Sequence, residues 1–241
     1  MQPISPTVLI CLPFAGAGAS FFKKWQPLAP DEMRIIAVQL PGREERFLDD
    51  PHTDAAVAMD EAWSWVEPQL DGEERIAVFG HSLGAVLAHE LVHRITGGGL
   101  PVERLFVSGS AGPWKPRAKR ASGLSDEEFL ARVKNFAGYT HPAMQDPEML
   151  ELLIPVLRAD VEMHENYHPS FPGPLSTPIT ALRGAQDDLV DTAEAAQWAE
   201  ATTTGFNQVE LAGGHMYLTD SAETVLQLIS DTVGDGSVAA L

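Results

Sequence analysis

A serine flanked by two glycines is the residue of this sequence best suited to nucleophilic chemistry. It lies in Gly80-His81-Ser82-Leu83-Gly84. The G-x-S-x-G pattern is typical of a strained strand-to-helix turn that exposes the serine hydroxyl at the end of a strand. An apolar run at 75–79 precedes the motif and a helical pattern follows it. This context favours a nucleophile over the simpler alternative, a serine that only caps a helix.

A nucleophilic serine needs a base and a carboxylate that orients the base. When the serine lies on a strand-to-helix turn of an open α/β sheet, the chain order is Ser, Asp, His. Both occur downstream, each just after an apolar run, at the edge where open α/β sheets build their sites. His215 follows two glycines and is the predicted base. Asp187 is the predicted orienting acid. Its neighbour Asp188 is the alternative, and spacing alone does not separate the two.

The same chemistry needs two backbone donors for the oxyanion that forms on the substrate. One is expected from the residue after the nucleophile and the other from the loop after the first strand. That loop, residues 13–18, contains two glycines that let the chain turn its amides toward Ser82. We therefore predict the backbone amides of Ala15 and Leu83 as donors. A plain tight turn is the alternative for the loop.

A second motif points to a different chemistry, because residues 164–168 match H-E-x-x-H, a zinc-protease pattern. We reject a zinc site here, since Pro169 pushes His168 out of the helical conformation that an i, i+4 ligand pair requires. No third ligand follows at the spacing expected for a zinc protease. Four other histidines are interpreted as packing, surface or pocket-wall residues rather than metal ligands: His81, His89, His93 and His141. We expect neither a metal nor an organic cofactor.

Six short apolar runs supply the elements that must position these residues. They lie at 7–12, 34–40, 75–79, 104–108, 179–183 and 208–211, and most are separated by helical patterns. A wholly apolar run of this length is typical of a strand buried on both faces of a parallel sheet. Strands that alternate with helices predict an α/β fold with a doubly wound, mainly parallel sheet.

The interval between the fourth and fifth runs breaks this alternation. It shows no convincing strand but two helix starts, a capping box at Ser125 to Glu128 and an N1 proline at Pro147. Proline-rich stretches border the interval. We predict a helical lid at residues 113–176 inserted into a core formed by residues 1–112 and 177–241.

Composition limits the classes of partner. The chain has 241 residues, a formal net charge of −18 and one cysteine, Cys11. The negative charge argues against nucleic-acid and membrane-surface partners. A single cysteine permits no internal disulfide, as expected in the cytoplasm. The apolar stretch near the N-terminus lacks a preceding basic residue and is interrupted by proline and glycine, so we do not read it as a signal peptide.

Taken together, the motifs resemble those of type II thioesterases, the stand-alone α/β-hydrolase-fold enzymes of polyketide and nonribosomal peptide synthesis. The resemblance spans nearly the whole chain and rests on six stretches in the expected order: Pro13-Phe-Ala-Gly16, Gln39-Leu-Pro-Gly-Arg-Glu44, Gly80-His-Ser-Leu-Gly84, Pro155-Val-Leu-Arg-Ala-Asp160, Gly184-Ala-Gln-Asp187 and Gly213-Gly-His215. It implies Asp187 rather than Asp188 as the acid. Phe14 and Ala17 depart from the residues common in the family, and both lie in the loop assigned to the oxyanion.

The resemblance implies hydrolysis of acyl groups from the phosphopantetheine arm of acyl or peptidyl carrier proteins, by a monomer. Because carrier proteins of this class are usually acidic, a basic patch is expected to receive them. We interpret Lys115, Arg117, Lys119 and Arg120 as this docking patch, against the alternative of a solvated basic loop. Two other functions stay open: a small-molecule carboxylesterase on the same fold, and a binding protein that has lost the chemistry.

Overall fold

Six parallel strands form the centre of the molecule. The computed structural model describes residues 6–115, 121, 123–137 and 147–234. The strands are β1 (Thr7–Leu12), β2 (Met33–Ala37), β3 (Arg75–His81), β4 (Val102–Ser108), β5 (Ile179–Gly184) and β6 (Phe206–Leu211). Their order across the sheet is β2-β1-β3-β4-β5-β6, and every neighbouring pair is parallel. The predicted parallel sheet is therefore confirmed.

The strand register brings the functional segments to one edge of the sheet. Leu12 at the end of β1 pairs with Gly80 of β3, and His81 pairs with Ser108 at the end of β4. On the other side of β4, the ends of β5 and β6 pair with each other through Gly184. The loops that carry the predicted nucleophile, acid, base and oxyanion donors all leave the sheet at this carboxyl edge.

Helices cover both faces of the sheet. They are α1 (Ser20–Lys23), α2 (Ala55–Val66), α3 (Leu83–Gly97), α4 (Asp126–Ala137), α5 (Pro147–Glu165), α6 (Thr192–Ala196) and α7 (Ala222–Gly234). Buried side chains of α2 and α3 pack on one face, whereas those of α1 and α7 pack on the other. Since helices cover both faces of the central strands, β1, β5 and all of β3 except its first residue are buried, whereas the edge strand β6 has no buried residue.

The predicted break in the alternation is present between β4 and β5. The described residues of this interval contain α4 and α5 and no strand, apart from a single bridge residue, Leu175. Ser125 and Glu128 form the predicted capping box at the start of α4. Ala121, Phe129 and Leu157 form a small core of their own. Whether residues 113–176 move as a lid remains a prediction.

The largest difference between a predicted and an observed strand boundary is at the end of β2. The second apolar run extends to residue 40, but β2 ends at Ala37. Val38 and Leu40 are nevertheless buried, so their apolar character reflects packing in a loop rather than strand pairing. In the described part of the chain no helix is long and apolar enough to span a membrane.

Candidate active site

The predicted nucleophile lies in a strained turn between β3 and α3. Ser82 has φ 54° and ψ −116°, a conformation that non-glycine residues rarely adopt. The flanking glycines are required by close backbone contacts. A Cβ atom on Gly80 would lie 1.9 Å from the carbonyl oxygen of Gly84, and one on Gly84 would lie 2.4 Å from the carbonyl oxygen of Leu12. The strand therefore passes directly into the helix, and Ser82 stays partly exposed at the edge of the sheet.

The predicted base and acid are in direct contact. His215 Nδ1 lies 2.9 Å from Asp187 Oδ2, and the Asp187 side chain is fully buried. The other carboxylate oxygen accepts the backbone N–H groups of Leu189 and Val190, at 2.8 and 3.2 Å. Asp188, by contrast, is exposed. Geometry thus pairs His215 with Asp187, the aspartate that the sequence motif favours.

The surroundings of Asp187 keep its carboxylate ionised. Burial acts to raise the pKa of Asp187. The hydrogen bond and charge of His215, together with the amides of Leu189 and Val190, outweigh this effect and hold the pKa below its ordinary value. An ionised carboxylate at Nδ1 favours the imidazole tautomer whose Nε2 is free to accept a proton.

The predicted oxyanion loop forms a tight turn beside the serine. Ala17 N donates to Phe14 O at 2.9 Å, and Gly16 adopts φ 77° between them. The backbone amides of Ala15 and Leu83 donate no hydrogen bond within the part of the chain that the structure describes. Leu83 begins α3, where the first N–H groups lack partners inside the helix. Two amides are therefore available near the nucleophile.

Comparison with known proteins identifies the family of this chain. A model of the thioesterase domain matches residues 7–233, almost the whole chain. The chain belongs to the thioesterase family. It is therefore a hydrolase of thioesters.

The relatives of this thioesterase include proteins of biosynthetic pathways. It is 33% identical to thioesterase PikA5 of Streptomyces venezuelae, over 95% of this chain and 82% of the relative. It is 32% identical to the gramicidin S biosynthesis protein GrsT of Aneurinibacillus migulanus, over 92% and 86%. Among solved structures, the type II thioesterase BorB from the borrelidin biosynthetic cluster superposes with a TM-score of 0.85, 33% identity, and coverage of 96% and 94%. The predicted resemblance to type II thioesterases is confirmed.

A buried polar chain that the motifs did not predict lies beneath the site of the thioesterase. His81 Nδ1 is 2.8 Å from Ser108 Oγ, which in turn is 2.7 Å from the hydroxyl of Tyr217. The ring of His81 lies 4.8 Å from that of His215. Burial and the charge on His215 hold the pKa of His81 well below its ordinary value. His81 therefore stays neutral.

The H-E-x-x-H segment does not form a two-histidine helix face. Helix α5 ends at Glu165, so His168 lies beyond it. Glu165 instead accepts the backbone N–H of Ala121. No cluster of metal-ligating side chains is found among the described residues. Of the predicted docking patch, Lys115 is exposed, and the remaining three residues lie outside the described part of the chain.

Proposed function

We propose that Ser82, His215 and Asp187 form a catalytic triad that hydrolyses acyl thioesters on the phosphopantetheine arm of acyl or peptidyl carrier proteins. The observation that carries this proposal is the 2.9 Å contact between His215 and Asp187 at the sheet edge where Ser82 occupies its strained turn. The similarity to a gramicidin S biosynthesis protein and to a type II thioesterase from the borrelidin biosynthetic cluster supports the carrier-bound substrate.

In the proposed reaction, Ser82 Oγ attacks the thioester carbonyl while His215 Nε2 takes the serine proton. The C–S bond then breaks, and the proton passes to the departing thiol. A water molecule, activated by His215, attacks the acyl-serine ester, and the carboxylic acid leaves as the serine is reprotonated. These steps use only protein groups and water, so the proposal includes no metal or organic cofactor.

The proposed oxyanion hole consists of the backbone amides of Ala15 and Leu83. Both amides lack acceptors within the described part of the chain, and the turn that carries Ala15 lies against the serine elbow. Because a thiol has a pKa near 8.5, far below that of a serine hydroxyl, its departure needs little general-acid help. Stabilisation of the negative oxygen is then the larger part of the catalysis.

The alternative function is a carboxylesterase that acts on small esters with the same triad. Replacement of Ser82 by alanine tests the triad, and we expect loss of thioester hydrolysis by at least about 10³-fold in a folded protein. Residual turnover within tenfold of the parent would exclude Ser82 as the nucleophile. Substrate class is tested by the rates on an acyl carrier protein, the matching small thioester and the matching small oxygen ester. The carboxylesterase alternative gains support if the small oxygen ester is the best substrate.

We also propose that the basic residues Lys115, Arg117, Lys119 and Arg120 dock the acidic carrier protein. They stand out in a chain of net charge −18, and attraction between exposed charges is screened within about 8 to 10 Å at physiological salt. Replacement of all four by glutamine should lower kcat/KM on the carrier-bound substrate, and the loss should shrink as salt is added. Equal effects on the small thioester would leave the patch without a docking role. Such an enzyme is expected to act as a cytoplasmic monomer.

A further inference from the structure

A buried ion pair joins two sequence motifs for which the triad provides no role. Arg43 and Asp160 are 117 positions apart in the chain, and their side chains are 7% and 0% exposed. The guanidinium binds the carboxylate through both of its terminal nitrogens, at 2.6 Å from Nη1 to Oδ2 and 2.8 Å from Nη2 to Oδ1. This two-point geometry fixes the orientation of both groups, which a single contact does not.

Each residue of the ion pair also forms a hydrogen bond to the proposed oxyanion turn. Asp160 Oδ2 also accepts the backbone N–H of Gly16 at 2.7 Å. Arg43 Nη1 also donates to the carbonyl oxygen of Ala17 at 3.1 Å. The turn from Phe14 to Ala17 is therefore held at the two residues that follow Ala15. These bonds lie in a buried environment, where charge-assisted hydrogen bonds are strong.

Helix α5 covers the same turn with apolar side chains. A Cβ atom on Gly16 would lie 2.5 Å from Leu157 Cδ2, and one on Gly42 would lie 3.2 Å from Val156. One stretch of α5 thus supplies both the carboxylate and the packing surface for the turn. Helix α5 and the oxyanion turn are consequently packed together.

We propose that Arg43 and Asp160 are positioning residues for thioester hydrolysis, which hold the Ala15 amide in place for the substrate oxygen. The inference rests on the proposed function, because it assigns the oxyanion to that amide. Its physical basis is preorganisation: a donor that is already fixed costs no reorganisation when charge develops on the substrate. Neither residue needs to touch the substrate.

Three changes separate positioning from simple structural support. Arg43→Lys keeps the charge but loses the two-point geometry, and Asp160→Asn keeps a neutral acceptor but loses the charge. The double variant Arg43→Met with Asp160→Leu replaces the pair by apolar side chains of similar size, a change that often leaves stability intact. Arg94→Lys is the matched control, since Arg94 is also a buried partner of a buried carboxylate, Glu90, on α3.

The assay is hydrolysis of a small acyl thioester, with kcat and KM measured separately and urea unfolding as the check on folding. Each of the three changes should lower kcat by about 10- to 100-fold, somewhat less than the loss from deleting an oxyanion donor, with KM within about threefold of the parent. The control should retain kcat within about threefold.

A double variant that unfolds like the parent should still show the low kcat. Recovery of kcat together with stability would overturn the inference, as would single variants as active as the parent. If the parent protein hydrolyses thioesters no faster than Ser82→Ala, the proposed function and this inference both fail.

Discussion

Replacement of Asp187 by asparagine is the sharpest test of the proposed site. The change is isosteric, and the remaining oxygen can still accept the amides of Leu189 and Val190, so the loop should fold. The new amide group would face His215 Nδ1 in place of the carboxylate oxygen that lies 2.9 Å away. Since an amide N–H donates, it favours the tautomer in which Nδ1 accepts and Nε2 carries the proton. That tautomer is unable to take the proton of Ser82.

The expected loss follows from this inversion. Forcing the wrong tautomer in a triad with otherwise intact geometry costs about 10⁴ in kcat, or about 5.5 kcal/mol of transition-state stabilisation at about 1.36 kcal/mol per tenfold. Asp188→Asn is the matched control, because Asp188 is exposed and lies on the adjacent position. We expect its kcat within about twofold of the parent, since exposed charges that are not paired contribute little.

The assay is release of thiol from a small acyl thioester at saturating concentration, followed at neutral pH for the parent and both variants. Thermal unfolding of each protein checks that the fold is retained. A loss of less than tenfold for Asp187→Asn, or a larger loss for Asp188→Asn, would refute the assignment of the acid.

The lowered pKa of Asp187 gives the same variant a stability signature. A carboxylate whose pKa is lower in the folded protein contributes stability above its unfolded value, near 3.8, and this contribution is lost as pH falls through the folded value. The parent should therefore lose part of its free energy of unfolding in this acidic range. Asp187→Asn should lack that part of the pH dependence.

Three further predictions concern stability and motion. Gly84→Ala should destabilise the protein by at least about 2 kcal/mol in urea unfolding, because its Cβ would meet backbone atoms, whereas Gly97→Ala in the same helix has open space and should be neutral or stabilising by up to about 1 kcal/mol. Burial, with the charge on His93, lowers the pKa of His89 to about 3, so the unfolded chain binds a proton that the folded protein does not. The free energy of unfolding should therefore fall by about 2 kcal/mol as the pH is lowered from 7 to 5. His89→Gln should remove this pH dependence, whereas His168→Gln, at an exposed position, should not. Hydrogen exchange in α4 should be faster than in β3, since α4 packs on a small separate core, and equal protection would instead favour a rigid cap.

The sequence predicts those parts of this molecule whose signal is local. The run at 7–12 matches β1 because a strand buried on both faces must be apolar throughout. The second run fails at its end, since burial of Val38 and Leu40 in a loop requires the same residue types as a strand. No single apolar run indicates the strand order, because the order depends on how the connecting helices cross over the sheet.

The same distinction between local and long-range signals applies to the candidate site. Ser82, its flanking glycines and His215 belong to short motifs, so their positions are readable from neighbours in the chain. The choice of Asp187 over Asp188 has its physical cause in burial: only one of the two side chains points into the protein, where it meets His215 and two amides. Spacing carries no information on that difference.

Long-range contacts determine what the motifs leave out. The turn at Ala15 takes its place beside Ser82 from the pairing of β1 with β3, which sets Leu12 opposite Gly80. Its conformation is then fixed by Asp160, which approaches from a helix 144 positions away from Gly16. The sequence places Asp160 in a motif, but only the fold reveals that the partners of its carboxylate are a guanidinium and a backbone amide. If the oxyanion turn is held in this way, a movement of α5 that opens the site also loosens the turn. Catalytic competence and lid closure would then be coupled by the four hydrogen bonds that join Arg43, Asp160 and the turn.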